Sequence, residues 1–353
     1  MISTIQDRSD LGNIKNHRVV VTSHGGPDVL QILEEALPEP KAGEVRVKVM
    51  AAGVSAYDLM FRRSGLLPGT PRVPFTLGVD VVGVADKLGE DVTTIEPGKM
   101  LAGATFSHDG FGGYTEYICL PATDLVPVPP GVDPAEAVCL VANYLTAYMA
   151  MHTSGKVQRG ERVLIHGAAG GTGSALLDLG KLAGLEMYGT ASRPNHEVVS
   201  AFGATPIDYR TEDFVKRIHD LTDDGVDVVF DPIGGARHIW RSNRALRKGG
   251  RLVWFGMAAT KKGGLRTIPL TLMMVALLKF IPDGKQAPLA PDLSKDNTWY
   301  RNILTELLAL LAAGKIKPLV AERIPLVEAD RSHEILERGG YAGKVVLVTS
   351  TED

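Results

Sequence analysis

The sequence predicts a two-domain α/β protein, in which a strand-rich, barrel-type domain accompanies a doubly wound parallel-sheet domain. Its 353 residues exceed what one hydrophobic core usually accommodates. Up to Pro134 the chain reads as short strands broken by Gly and Pro, and from there strands and helices alternate. A glycine-rich segment, HGAAGGTG at 166–173, follows one of these strands and precedes a helix. These three observations indicate the fold class.

Alternating apolar and polar residues between turn signals predict the strands of the first domain. These strands include RVVVTSHG, GEVRVKVMAAGVS, LGVDVVGVADKLG and GGYTEYICLP. Beyond a long amphipathic helix that begins near Trp299, the chain ends in GKVVLVTS, which is more similar to these strands than to those of the parallel sheet. We therefore predict an interrupted first domain of residues 1–138 and 299–353, in which 1–17 form a polar arm.

Residues 139–298 are predicted to form the parallel-sheet domain. Apolar strands alternate here with helices that begin near Ser174, near His196 and at EDFVKRIHDLT. Such alternation is typical of βαβ units, and continuous apolar strands are typical of a sheet covered on both faces. The strands are RVLIHG, EMYGTAS, TPIDY, GVDVVFDPIGG and GGRLVWFGM.

Composition excludes several classes of protein. The chain is 44% hydrophobic and 22% charged, as expected of a globular protein. A net charge of -3 and a pI of about 6.3 argue against a nucleic-acid partner. Two cysteines, Cys119 and Cys139, exclude a disulfide scaffold and a four-thiolate zinc site. The N-terminus has no apolar core of a signal peptide, so we expect a cytoplasmic protein.

The longest apolar run, TIPLTLMMVALLKFI at 267–281, contains Pro269 and Lys279. It is shorter than the ~20 residues that span a bilayer. The run predicts a buried or lid-forming helix, and a lid of this kind implies a large or hydrophobic substrate. Contact with a membrane surface is the alternative.

The glycine-rich segment predicts a dinucleotide site. Gly167, Gly170 and Gly173 are spaced by three residues between a strand and a helix. A tight turn needs residues without Cβ, a pyrophosphate needs close access to backbone N–H groups, and the helix N-terminus adds partial positive charge. The alternative is a turn with a packing role only. The predicted cofactor-binding residues here are Ala169, Gly170, Gly171, Thr172 and Gly173.

The cofactor is predicted to be NADPH. Where NAD-binding proteins have an acidic residue for the ribose hydroxyls, this chain has Ser192 and Arg193. A hydroxyl and a guanidinium suit a 2′-phosphate, and Tyr209 after the third strand closes the same corner. An ordinary solvated arginine and a packing aromatic are the alternatives. After the fourth and fifth strands, the residues expected to line the cofactor site are Asp231, Gly256 and Met257.

Several motifs in the same order resemble the zinc-free branch of the medium-chain dehydrogenase/reductase superfamily. They are GVSAYDLMFRRSG, LGVDVVGV, GGYTEYICLP, NYLTAYMAM, GERVLIHGAAGGTG, DPIGG and GKVVLV. The resemblance is to the quinone oxidoreductase (zeta-crystallin-like) family, and within it to the VAT-1-like group. It implies a GroES-like, barrel-type catalytic domain, a Rossmann domain, and a homodimer joined through the edges of the Rossmann sheets.

Departures from the zinc-dependent relatives predict a site without metal. Where those relatives place a Cys and a His-Glu pair, this chain has Ser55, Val79 and Asp80. Valine cannot ligate zinc, and without a Lewis acid we do not expect simple alcohol oxidation. The histidines His24, His152 and His166 show no metal-ligand spacing, and we interpret them as ordinary polar positions. A quinone or an α,β-unsaturated carbonyl is the expected acceptor, and it would be a small hydrophobic substrate.

The resemblance also suggests which residues face the acceptor. They are Ser55, Tyr57, Asp58 and Tyr144. Tyr57 is a candidate general acid, although a packing tyrosine fits the sequence equally well. Asn143, Tyr144 and Thr146 are implied to lie beside the nicotinamide, with helix capping and packing as the alternative.

Two further departures bear on function. Enoyl-thioester reductases of this superfamily use a tyrosine in the segment that here contains Leu66 and Leu67, which argues against that activity. Where VAT-1-like chains have Lys, this chain has Asn195, so Arg193 is expected to carry the phosphate charge alone. The sequence predicts a zinc-independent, NADPH-dependent oxidoreductase. The alternatives are an enoyl reductase acting on acyl-carrier thioesters and a nonenzymatic NADPH-binding, membrane-associated protein.

Overall fold

The computed structural model describes residues 15–65, 69–105, 112–260, 264–288 and 298–349. Contacts between Cα atoms divide the chain into two compact units. The first unit runs to Val141 and includes Glu322–Arg338 and the chain from Val345. The second unit comprises Ala142–Ala321 and Gly339–Lys344.

The first unit is rich in strands, as predicted. Its elements are β1 (Lys15–Val21), β2 (Leu30–Ala36), β3 (Glu44–Gly53), α1 (Ala56–Arg63), β4 (Phe75–Thr76), β5 (Asp80–Leu88), β6 (Met100–Ala104), β7 (Tyr117–Pro121), β8 (Leu125–Pro127), α2 (Pro134–Cys139), β14 (Val320–Pro325), α10 (Ala329–Arg338) and β15 (Lys344–Val348). One sheet has the order β2-β1-β4, and a larger sheet has the order β14-β15-β3-β5-β6-β8, with β7 also paired to β3. The three residues Lys15, Asn16 and His17 belong to β1, so the predicted polar arm 1–17 is wrong at its end.

The second unit contains the parallel sheet. Its elements are α3 (Leu145–Tyr148), β9 (Arg162–His166), α4 (Gly171–Ala183), β10 (Glu186–Ala191), α5 (His196–Ala201), β11 (Thr205–Asp208), α6 (Phe214–Thr222), β12 (Val226–Asp231), α7 (Ala236–Ala245), β13 (Leu246–Trp254), α8 (Thr267–Leu278) and α9 (Thr298–Ala312). The five strands are parallel and have the order β11-β10-β9-β12-β13. Every residue of β12 is buried, as in a central strand covered on both faces, and the predicted doubly wound sheet is confirmed.

Helix α4 begins at Gly171 rather than near Ser174, so the loop after β9 is shorter than the sequence suggested. The helix ends at Gly184, which has a left-handed backbone (φ 70°, ψ 40°). That conformation favours glycine and terminates helices commonly. The short loop brings the first turn of α4 next to the end of β9.

The helix α9 belongs to the second unit, whereas the predicted boundary at residue 299 would assign it to the first domain. Its apolar stripe is buried and consists of Tyr300, Leu304, Leu307, Leu308 and Leu311. The α9 helix contacts α3, and the Tyr148 hydroxyl on α3 donates to Glu306 Oε2 at 3.2 Å. A stripe of apolar residues in the sequence indicates that one face of a helix is buried, but it does not identify the element against which the helix packs.

The apolar segment after residue 266 forms α8. Thr271, Val275 and Leu278 are buried, while one side of the helix stays accessible. Its exposed apolar side chains are Leu270, Leu272, Met273 and Leu277. The helix is therefore only half covered within this structure.

Replacement of a buried leucine of α9 by alanine should destabilise the protein more than the same replacement of an exposed leucine on α4. We expect Leu304→Ala to lower the free energy of unfolding by about 2–5 kcal/mol, because Leu304 is fully buried and its loss leaves a cavity. Leu182→Ala is the matched control, since Leu182 is 48% exposed. Urea denaturation followed by circular dichroism measures both variants. Equal losses would show that the α9 stripe is not part of the core.

Candidate functional site

The glycine loop packs the start of α4 directly onto the end of β9. Gly167 has φ +62°, in the left-handed region that favours glycine. A Cβ at Gly173 would lie 2.1 Å from the Gly167 carbonyl oxygen and 2.8 Å from Ala168 Cα. Both glycines are therefore required for this approach of helix to loop, as in dinucleotide-binding turns.

The N-terminus of α4 has the features of an anion site. No side chain among the described residues caps the helix at Gly170, so its first backbone N–H groups remain available to an anion. A Cβ at Gly171 would lie 2.8 Å from Asn143 Nδ2. Asn143 Nδ2 donates to Thr172 Oγ1 at 2.9 Å, and Ala169 O accepts from Gly343 N at 2.8 Å. These contacts stabilise the conformation of the glycine loop.

The ends of β10 and β11 bring two predicted residues side by side. Ala191 is paired with Asp208, so Ser192 and Tyr209 leave adjacent strands at the same edge of the sheet. Ser192 is buried, whereas Tyr209 is 54% exposed. The guanidinium carbon of Arg210 lies 5.8 Å from the centre of the Tyr209 ring. Arg210 was not predicted from the sequence, although it directly follows a residue that was.

Arg193 follows Ser192 and is exposed. Asn195, which stands where VAT-1-like chains have Lys, donates through Nδ2 to Tyr341 O at 3.3 Å. The Asp208 carboxylate accepts from Arg210 N at 3.0 Å. Two exposed arginines, Arg193 and Arg210, therefore lie near the carboxyl ends of β10 and β11, whereas the Asp208 carboxylate is buried and engaged in a turn.

Asp231 is fully buried, and its carboxylate is used within the protein. Oδ1 accepts from Ile233 N at 2.8 Å and from Gly234 N at 3.0 Å, while Oδ2 accepts from Ser242 Oγ at 2.8 Å. The Ser242 hydroxyl also lies 3.1 Å from His166 Nε2. Asp231 thus shapes the turn after β12. The sequence predicted that its side chain would line the cofactor site, but the side chain is buried and bonded within the protein.

The turn after β13 lies against the turn after β12. A Cβ at Gly256 would be 2.5 Å from Pro232 O. The Met257 carbonyl accepts from Thr260 N at 2.9 Å and from Thr260 Oγ1 at 2.7 Å. The predicted pair Gly256 and Met257 therefore belongs to a backbone-rich surface at the carboxyl end of the sheet.

Tyr144 differs from its expected role. Its side chain is 1% exposed, and its hydroxyl donates to Asp178 Oδ2 at 2.6 Å. Burial raises the pKa of Asp178. Asp178 Oδ2 also accepts from Lys317 N at 2.7 Å. The phenol is committed to this core contact, and it is not presented to an acceptor; the neighbouring Thr146 is half-buried.

In the first unit, Ser55 and Asp58 form the N-terminal cap of α1. Asp58 Oδ2 accepts from Ser55 N and Ser55 Oγ, both at 2.7 Å, and Asp58 Oδ1 accepts from Gly78 N at 2.9 Å. Burial raises the pKa of Asp58 to about 6. Tyr57, in contrast, is 46% exposed and stacks on Phe61 with ring centres 6.4 Å apart. Of the four predicted catalytic residues, Tyr57 is the exposed one.

Buried polar side chains surround the positions that hold zinc ligands in zinc-dependent relatives. Val79 and Asp80 are both buried. The hydroxyl of Tyr114 lies 3.3 Å from His333 Nε2. Burial and the nearby carboxylates of Asp58 and Asp80 raise the pKa of Tyr114. These residues pack the interior of the unit, and an aliphatic side chain occupies one ligand position.

Two further expectations from the sequence concern the segment with Leu66 and Leu67 and the contact with a membrane. Leu66 and Leu67 lie outside the described residues. Within the part of the chain that is described, no helix combines the length and the apolar character needed to cross a membrane.

Relatives match almost the whole chain, and two family models match its two parts. The alcohol dehydrogenase GroES-like domain matches residues 41–130, and the zinc-binding dehydrogenase model matches residues 202–347. The rat synaptic vesicle membrane protein VAT-1 homolog is 32% identical over 348 residues, covering 95% of this chain and 84% of the relative. Human quinone oxidoreductase is 28% identical over 337 residues, covering 94% and 97%. A phenolphthiocerol/phthiocerol polyketide synthase of Mycobacterium tuberculosis is 31% identical over 333 residues, covering 94% of this chain and 15% of that protein.

Solved structures agree with these matches. The Pseudomonas syringae quinone oxidoreductase superposes with a TM-score of 0.81 at 29% identity, covering 94% of this chain and 99% of the other. A mycobacterial protein solved in complex with NADPH gives a TM-score of 0.82 at 28% identity, with the same coverage. Together with the glycine loop and the two units, these matches show that the chain belongs to the medium-chain dehydrogenase/reductase superfamily, in the branch of the quinone oxidoreductases and VAT-1 homologs.

Proposed function

We propose that the protein is a zinc-independent oxidoreductase that uses NADPH to reduce a quinone or an α,β-unsaturated carbonyl compound. The observation that carries the proposal is the pairing of a glycine loop and an uncapped α4 N-terminus with basic side chains at the ends of β10 and β11. The site fits a dinucleotide because glycine at residues 167 and 173 permits the close approach of α4 to the loop, as in dinucleotide-binding turns.

The chain's own residues would divide the work of binding the cofactor. NADPH, when bound, supplies a hydride. The backbone N–H groups at the start of α4 would bind the pyrophosphate. Ser192, Arg193 and Tyr209 would bind the 2′-phosphate, and Arg210 would add a second positive charge at that edge. Asp231 would act as a positioning residue, because its carboxylate holds the turn that begins at Pro232.

The acceptor is inferred from the residues at the ligand positions of zinc-dependent relatives. With Ser55, Val79 and Asp80 there, the chain offers no ligand set for a Lewis acid in that place. A quinone or enone needs no such activation, because its carbon is already electrophilic. Tyr57 would donate a proton to the acceptor oxygen, since its phenol is accessible while Asp58 is engaged in the helix cap.

A second candidate is reduction of enoyl thioesters on acyl carriers. It is supported by the 31% identity to a segment of a polyketide synthase, and Leu66 and Leu67 argue against it. A third is a nonenzymatic NADPH-binding protein at a membrane surface. It is supported by the VAT-1 relatives and by the exposed apolar side chains of α8.

We further propose a cytoplasmic homodimer joined near β13, which is the end strand of its sheet.

Substrate preference is the direct test of the activity. With NADPH, we expect turnover of a quinone and of an aliphatic enone, followed at the nicotinamide absorbance band, and little turnover of an enoyl thioester. Tyr57→Phe should lower kcat for the enone by about 100-fold or more if the phenol is the general acid. Tyr148→Phe is the control, because its hydroxyl contacts Glu306. Turnover of the thioester alone would overturn the proposal, and NADPH binding without any turnover would favour the nonenzymatic candidate.

Arginine replacement tests the choice of nucleotide. Arg193→Ala should weaken NADPH binding by about 10- to 150-fold, as expected for loss of a charge-assisted hydrogen bond, and should change NADH binding little. Calorimetric titration with both nucleotides measures this difference. Arg159→Ala, at another exposed arginine of the same unit, should leave both affinities unchanged. Equal losses for NADPH and NADH would contradict the 2′-phosphate assignment.

The glycine loop has a test of its own. Gly173→Ala should lower the Tm and abolish binding of both NADPH and NADH, because the added Cβ would lie 2.1 Å from Gly167 O. At Gly170 the backbone is extended (φ -73°) and a Cβ would be 3.3 Å from the same oxygen. Gly170→Ala should therefore lower the Tm much less than Gly173→Ala does. A Gly173→Ala protein that binds NADPH normally would rule out the close approach of helix to loop.

A further inference from the structure

Two histidines and an aspartate meet at the carboxyl end of the parallel sheet. His166 is the last residue of β9, Asp231 is the last residue of β12, and His238 lies in the first turn of α7. One potential ligand atom from each residue lies within 4.8 Å of the other two. His166 and Asp231 are buried, and His238 is half-buried. The residues are far apart in the sequence, so only the fold brings them together.

The distances approach those of a four-coordinate metal centre. His238 Nε2 lies 3.4 Å from Asp231 Oδ2. A tetrahedral ion with bonds of about 2.0–2.1 Å holds its ligand atoms about 3.4 Å apart. The His166 and His238 rings are 4.6 Å apart at their centres, with an angle of 63° between their planes. The widest separation, of up to 4.8 Å, is larger than this, so the side chains would move closer together on binding an ion.

The surroundings orient His166 as a ligand. Its Nδ1 lies 3.1 Å from Thr190 Oγ1, and its Nε2 lies 3.1 Å from Ser242 Oγ on the side of Asp231. A cation at the cluster would select the tautomer in which Nδ1–H donates to Thr190 Oγ1, because the Nε2 lone pair would then bind the ion. Histidine ligands are commonly fixed by such an outer hydrogen bond. Ser242 Oγ, 2.8 Å from Asp231 Oδ2, stands where a fourth oxygen donor would be.

His238 supplies the second, independent observation. Its Nε2 is buried and has no hydrogen-bond partner among the described residues. Buried polar atoms are nearly always partnered by protein, water or an ion. A cation held by Asp231 would satisfy this nitrogen.

The charges facing the cluster are compatible with a cation. Burial lowers the pKa of His166 to about 3, so its ring is neutral, and burial also lowers the pKa of His238. Arg241 is the nearby positive group, and it is directed to Asp213 at 2.9 Å and over the Phe214 ring at 4.5 Å. Two imidazoles and one carboxylate form a donor set that suits Zn²⁺ and related ions.

We propose that His166, Asp231 and His238 form a binding site for one divalent d-block cation such as Zn²⁺. The site is separate from the ligand positions at Ser55, Val79 and Asp80, and its role is structural. Because His166 precedes the glycine loop and Asp231 holds the turn after β12, a bound ion would tie together two segments of the predicted cofactor site. Binding to the folded state would raise the Tm as the metal concentration exceeds Kd.

The test uses the full chain without a histidine tag, freed of metal with a chelator. Calorimetric titration with Zn²⁺ should give one ion per chain, and Co²⁺ should produce the visible bands of a four-coordinate site with nitrogen ligands. His238→Ala should weaken Zn²⁺ binding by about 10-fold or more and remove the Tm increase, since it deletes a ligand. Thr190→Val keeps all three ligands and removes the outer hydrogen bond to His166 Nδ1 together with the bond that Gly167 N donates to the same hydroxyl, so it should weaken binding less.

The matched control is His219→Ala, because His219 is half-buried on α6 and its Nε2 contacts Arg244 O at 3.0 Å. That variant should keep the wild-type affinity for Zn²⁺. Absence of a stoichiometric ion, or an affinity that is the same for His238→Ala and the wild type, would overturn the proposal. Circular dichroism of His238→Ala verifies that the chain is folded, and if it is not, Thr190→Val and His238→Gln decide the question. NADPH binding that persists without metal would leave the proposed function intact.

Discussion

The close contact between Gly173 and the Gly167 carbonyl is the constraint on which the second unit depends. A methyl group at residue 173 would have to lie 2.1 Å from that oxygen, so only glycine lets α4 begin directly after β9. This approach orients the helix N-terminus across the carboxyl end of the sheet, where its N–H groups can meet an anion. Side chains outside the loop add to this packing, since Thr190 Oγ1 accepts from Gly167 N and Asn143 Nδ2 donates to Thr172 Oγ1.

In the first unit, polar side chains that could act on a substrate instead maintain the fold. Asp58 accepts three hydrogen bonds from Ser55 and Gly78, which offsets the cost of burying its carboxylate. The pKa of about 6 shows that burial still dominates over these bonds. Because this carboxyl is held inside the unit, we propose the exposed phenol of Tyr57, and not Asp58, as the proton donor.

Much of this arrangement follows from local sequence signals. The alternation of strands and helices predicts the parallel sheet, and the glycines predict the turn after β9. The paired strands β10 and β11 bring Ser192 beside Tyr209, as the positions of the strand ends imply. Three other features depend on the directions of side chains in segments that are distant along the chain. They are the contact between Tyr144 and Asp178, the packing of α9 against α3, and the contact between His166 and His238. No spacing rule along the chain contains that information.

The distribution of charge at the carboxyl end of the sheet bears on nucleotide choice. Carboxylates at the strand ends are buried and bonded to backbone N–H groups, as Asp208 is to Arg210 N and Asp231 is to Gly234 N. The guanidinium groups of Arg193 and Arg210 are exposed, and Arg210 lies against Tyr209. Internal hydrogen bonds therefore hold these two carboxylates away from the surface, whereas the two guanidinium groups remain on it. The proposed preference for NADPH rests on this distribution, because a phosphate forms stronger charge-assisted hydrogen bonds with guanidinium groups than a hydroxyl does.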